Sequence, residues 1–502
     1  MRRRPTLLPA LAAVAAVLAA GAAVLRYPRL GRQPDGAYLV PTGQRLTPAG
    51  RHFDVDDRPL GMVLSPDGSR LAVVTGSNFA PRALHILDAR KGAPLSRVPI
   101  GNSFVGVAFA ADGRTVYVGG GASDQVMVLR EQPDGAFSQQ DAFALKDAAP
   151  SGLALSPDGS TLYVSLNLKH SVAAIHLPTR QVTEIPAGMH PYTTVAAPGG
   201  KKIWVTNWAG RRARQGDTTD ELFRIVVDPR TGIPSTGTVS VIDAGAKTVI
   251  REIDVGLHPS AMALDPDGNR LFVANANSDT VSVIDTAEDR VIASIDVRPG
   301  VKAPIGSSPN ALSVSPDGRT LYVANGANNA VAVVDLTPDA PRVQGLVPTG
   351  WYPTAVAAAP DGKRIWVASG YGFGSIAPVK DGRAGRSYRD RAGVVSLIEP
   401  PRGARLRAAT AQVMRNNRLV SSGVMPGKGH PIPMSAGQPS PIRHVFYIIK
   451  ENRTYDQLFG DLPQGNGDPS LVQFGGGGGP TQQPRAAQFV LGDYIKKTAD
   501  KY

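Results

Sequence analysis

Short runs in which every second residue is apolar recur through most of the chain, joined in pairs by the same punctuation. Residues 60–74 read LGMVLSPDGSRLAVV, 151–165 SGLALSPDGSTLYVS and 310–325 NALSVSPDGRTLYVAN, with further copies at 105–119, 192–207, 260–275 and 354–369. Alternation with a period of two predicts a half-buried strand. Pro pre-sets φ at the start of a turn and Asp-Gly reverses the chain, so each Pro-Asp-Gly or its equivalent predicts a hairpin tip. A third strand follows, as in TVSVID at 280–285 or AVAVVD at 330–335, and then a fourth, as in VIASIDV at 291–297.

The turn positions 67, 112, 158, 199, 267, 317 and 361 are 41 to 50 residues apart, apart from one interval of 68. Four strands per repeat of this length is the spacing of a propeller blade. The pattern therefore predicts a mainly all-β chain with a seven-bladed β-propeller over residues 45–400. The long interval carries an insertion at 209–238, and a second insertion at 371–393 interrupts the last blade at the equivalent place. Long loops on one side of a disc are where binding concentrates, or else are surface decoration. Composition agrees with many short strands and turns: the 502 residues include 55 Gly and 43 Pro. WVTN at 204–207, FVAN at 272–275 and YVAN at 322–325, with TVSVID at 238–243 and 280–285, resemble the YVTN β-propeller repeat. The resemblance spans about residues 50–400 and implies a fold without implying a chemistry.

The loop into each first strand carries a recurrent Pro at 59, 150, 191, 259, 309 and 353. In a propeller these loops surround the mouth of the central channel, so Arg58, Ala149, His190, His258, Ser308 and Tyr352 are expected to form a ring there. His190 and His258 are candidates to hold a metal or an anionic ligand. The alternative is that both are turn residues facing water, since a two-His site needs further ligands. Trp351 and Tyr352 beside them would complete a small-ligand pocket. With no Cys and eight His, only oxygen and imidazole ligands are available to any metal. The Asp265–Asn269 stretch is the same hairpin turn as its counterparts rather than a calcium loop, because no Glu closes it.

The net charge is +13, but the basic residues are scattered singly and in pairs, so no nucleic acid is expected as a partner. Arg2, Arg3 and Arg4 precede an uncharged apolar stretch at 7–25. Residues 1–30 thus read as a signal peptide or an N-terminal membrane anchor. The rest is expected to be exported, as a periplasmic, secreted or outer-face-anchored protein.

Residues 401–440 are Arg-, Pro- and Gly-rich and read as a linker. Beyond it, the apolar run HVFYII at 444–449 predicts a buried strand, and ENRTYDQLFG predicts a polar turn into a helix. Glu451 and Asn452 then stand where α/β sheets place their sites, as two oxygen ligands for a divalent cation. Residues 442–460 closely resemble the opening of the phosphoesterase family that includes bacterial phospholipases C and acid phosphatases, in the alkaline-phosphatase-like superfamily. That resemblance implies an incomplete α/β fragment over 441–502, Glu451 and Asn452 as metal ligands, a divalent metal ion as cofactor, and a phosphoester substrate. The family's nucleophile and distal ligands have no counterpart in the fifty residues after Asn452, so this chain by itself is not expected to hydrolyse phosphoesters. The alternative is a non-catalytic propeller that binds a ligand or protein at the cell envelope.

Overall fold

The computed structural model describes residues 30–77, 81–300, 303–337, 340–374, 392–419 and 441–444. Residues 29–422 form one compact unit. Of the expectations above, the leader at 1–29, the apolar run 445–449, Glu451 and Asn452 lie outside the described residues. Among the described residues no helix is long and apolar enough to cross a membrane.

The described residues of this unit form seven four-stranded antiparallel sheets and one small three-stranded sheet. The third sheet shows the pattern: Pro150–Leu155, Thr161–Leu166, Ser171–His176 and Gln181–Pro186, paired in sequence order. The Pro-Asp-Gly copies form the hairpin tips expected of them. Gly68 N–H donates to Ser65 O at 2.8 Å, and Gly159 N–H to Ser156 O at 2.8 Å. Asp67 accepts from the Ser65 and Ser69 hydroxyls, which hold its carboxyl down at about 2.

First strands of successive sheets lie against one another, and the last, Pro353–Ala358, lies against the first, Pro59–Leu64, so the arrangement closes on itself. Closure is sealed by a strand the repeat pattern does not reveal. Arg51–Val55 pairs with Gly393–Ile398 as the outer strand of the seventh sheet, so that Leu397 faces Arg51 across 346 positions of sequence. The core lies between neighbouring sheets: Phe272, Val281 and Val283 of the fifth pack against Leu321, Val323 and Ala332 of the sixth.

Helix α1, Gly403–Asn416, occupies the start of the segment expected to be a linker. It lies along the outer strand Arg342–Pro348 of the sixth sheet. Its buried apolar residues Leu406 and Val413 are seven apart and so share a face. Gly345 makes room for it: a Cβ there would stand 2.7 Å from Leu406 Cγ. Thr410 Oγ1 accepts the Leu346 N–H at 2.9 Å, which satisfies a donor on an otherwise open sheet edge. Two buried apolar side chains in fourteen residues are too faint a stripe to be read from sequence among so many Arg.

Candidate functional site

Six of the seven sheets begin with the same local geometry. Arg58, Ala149, His190, His258, Ser308 and Tyr352 all have positive φ, from 46° to 60°. A side chain in this left-handed region costs roughly 1–2 kcal/mol, so something must hold it there. In four sheets the holder is the side chain of another left-handed residue, at the start of the preceding sheet's third strand. Asp124 accepts from the N–H groups of Asp147, Ala148 and Ala149. Asp279 accepts from Gly306, Ser307 and Ser308. Asn329 Oδ1 accepts from Tyr352 N–H at 2.9 Å, and His170 Nδ1 from His190 N–H at 3.2 Å.

The Pro that follows each turn starts a strand facing the channel, and neighbouring strands are tied through its carbonyl. Thr354 Oγ1 donates to Pro59 O at 2.6 Å, Ser151 Oγ to Pro191 O at 3.2 Å and Ser260 Oγ to Pro309 O at 3.3 Å. In the second sheet Gly106 permits the approach, since a Cβ there would sit 1.8 Å from Ser151 O.

These strands surround a cavity of about 540 Å³. Its deep walls are apolar, including Met62, Val107, Leu153 and Val356. Its mouth is aromatic and polar. Trp208 stacks on His258, ring centroids 4.7 Å apart and 25° from parallel, and lies 6.2 Å from Tyr192, again nearly parallel. Tyr352 Oη meets Ser308 Oγ at 3.3 Å. Asn310 also lines the cavity. Burial pushes the Tyr192 phenol up to about 12, so it is a neutral hydroxyl at any ordinary pH. The described lining carries no Asp, Glu, Lys or Arg.

Of the expected ring, His258, Ser308 and Tyr352 line this cavity and Arg58, Ala149 and His190 do not. His190 is buried away from it, edge-on to His170 with centroids 4.7 Å apart, and 5.8 Å from the Phe223 ring. The pair expected in His190 and His258 is therefore divided between two aromatic neighbourhoods. Burial also lowers the His190 imidazole below its ordinary value, and takes His170 down to about 4 with help from the nearby His190 and Arg212. Arg58 lies over the Tyr371 ring at 5.7 Å. Among the described residues no group of three or more His, Asp or Glu is placed to hold a metal ion. The sequence reading missed Tyr192, Trp208 and Asn310. A signal existed for two of them: Leu60, Tyr192, Ser260, Asn310 and Thr354 each directly follow a recurrent Pro, and all five line the cavity.

The insertion at 209–238 starts beside Trp208 and leaves from the same side as the channel mouth, since second-to-third-strand loops and sheet-to-sheet loops fall at one end of antiparallel sheets. Arg211 grips Asp217 through two bonds, at 2.6 and 2.9 Å. Arg212 fastens the insertion to the third sheet by donating to Ala187 O and His170 O. Leu222, Phe223 and Ile233 stand exposed on it.

Residues 222–373 match the family model for the methylamine dehydrogenase heavy chain (MADH). The fold is a β-propeller. Hydrazine synthase from Kuenenia stuttgartiensis is a solved structural relative, 21% identical with a TM-score of 0.51, covering 70% of this chain and 98% of that one. At that identity the likeness speaks for the propeller fold alone. No curated protein matches the chain.

Proposed function

We propose that this is an exported, seven-bladed propeller that binds a small ligand at its channel mouth and is joined, from residue 441, to a metal-dependent phosphoesterase. The observation that carries the binding role is the composition of the mouth. A cavity of ligand size, whose described walls carry aromatic rings and hydrogen-bonding groups but no Asp, Glu, Lys or Arg, suits binding. Its described residues offer no carboxylate pair and no metal set for hydrolysis. Chemistry is assigned instead to the motif at 450–456, where Glu451 and Asn452 would hold a divalent cation that polarises a phosphoryl oxygen. The matched family is named for a heavy chain, one subunit of an enzyme, and a propeller serving chemistry carried elsewhere is consistent with that.

A second reading, a binding propeller without catalysis, is favoured by the exposed Leu222, Phe223 and Ile233 on the insertion, which suit a protein contact. One experiment separates the two. Native protein purified from the cell envelope is assayed on p-nitrophenyl phosphate and bis(p-nitrophenyl) phosphate with added divalent metals. The phosphoesterase reading expects turnover that chelator removes and Glu451→Gln abolishes. Absence of metal-dependent turnover overturns it and leaves the binding propeller.

A further inference from the structure

The chemistry of the channel mouth narrows what it can hold, and the argument rests on the binding role proposed above. An anionic ligand would enter a cavity of about 540 Å³ with no Lys or Arg on its described walls. A charge taken out of water without a partner is strongly disfavoured. The described walls therefore favour an uncharged ligand over a phosphoester or a carboxylate. A cationic ligand meets no Asp or Glu on the described walls either.

Among uncharged ligands the polar groups decide. A purely apolar molecule filling the mouth would bury the Ser308–Tyr352 hydroxyl pair against hydrocarbon and leave the second hydroxyl hydrogen of that pair without an acceptor. The ligand must therefore carry hydroxyl or amide groups along its edge. Its faces must be weakly polar, because they meet Trp208, Tyr192 and His258. Trp208 keeps 41% of its surface exposed at the mouth although its ring already packs on His258. A pyranose ring has this distribution, with C–H groups on its faces and hydroxyls around its rim. We infer that the channel mouth is a binding site for an uncharged sugar of one or two rings. Asn310 and the Ser308–Tyr352 hydroxyl pair take its hydroxyls, and Trp208 meets its C–H face.

The test uses the full chain and tryptophan fluorescence with ligand-observed NMR. Probes are a panel of neutral hexoses, N-acetylhexosamines and their disaccharides, with glucose 6-phosphate and adenosine as the charged and the planar controls. A saturable signal is expected from at least one neutral sugar, with affinity reduced tenfold or more by Trp208→Ala and severalfold by Tyr352→Phe, which removes one hydroxyl and keeps the ring. Leu95→Ala, on an outer strand far from the channel, should leave it unchanged. Saturation by glucose 6-phosphate or adenosine with none by the neutral sugars overturns the sugar assignment while the ligand-binding role stands. No saturation by any probe overturns both. Sugar binding unaffected by both Trp208→Ala and Tyr352→Phe places the sugar elsewhere and also overturns the assignment.

Discussion

The ring of His170 accepts the backbone N–H of His190 through Nδ1 at 3.2 Å, and both residues are in the left-handed conformation. The contact links the third sheet to the fourth at the channel side, where Asp124, Asp279 and Asn329 do the same job elsewhere in the ring. A histidine can fill this position only while Nδ1 is unprotonated. Arg212, donating to His170 O, fastens the insertion to the same residue.

Acid sensitivity follows from this arrangement. The folded state holds His170 at about 4, below its ordinary 6.5. The unfolded chain therefore binds the proton first as pH falls. The contribution is complete above about pH 6.5 and is lost between there and about pH 4. Asn329 shows that an amide serves in the same place. His170→Asn should keep wild-type stability at pH 8 and lose less of it at pH 4.5, measured as urea midpoints. An unchanged acid limb would refute the assignment.

Gly106→Ala should cost about 3 kcal/mol or more, because the added carbon meets a backbone oxygen of the next sheet rather than a movable side chain. Gly101→Ala has open space and should fall within about 0.5 kcal/mol of wild type. Chemical denaturation of the two variants side by side checks the pair.

Helix α1 acts as a cap on a sheet edge rather than as a tether. Leu406→Ala should therefore destabilise the propeller itself by about 2–5 kcal/mol. Thr410→Val, which leaves the Leu346 N–H without its acceptor, should cost about 1–3 kcal/mol. Amide exchange along residues 342–348 should accelerate in both. Wild-type exchange there would show that the helix is dispensable.

Among the thirteen tyrosines, Tyr192 should be late to ionise, at about pH 12. Tyr192→Phe should remove absorbance change only from the alkaline end of a spectrophotometric titration. Loss of amplitude near pH 10 would instead place that phenol in water.

The residues themselves determined the repeating units: alternation and Pro-Asp-Gly turns act over ten residues or fewer, so Gly68 and Gly159 close the hairpins their local sequence predicts. The same local regularity placed His258, Ser308 and Tyr352 at the channel mouth. Tertiary structure alone decided that His190 turns to His170, that Trp208 joins the cavity, that a segment rich in Arg becomes α1, and that Arg51–Val55 closes the ring. Each of these depends on a partner brought close by the closed ring. A sequence pattern of period two states which face of a strand is buried, but not which distant side chain will be waiting there.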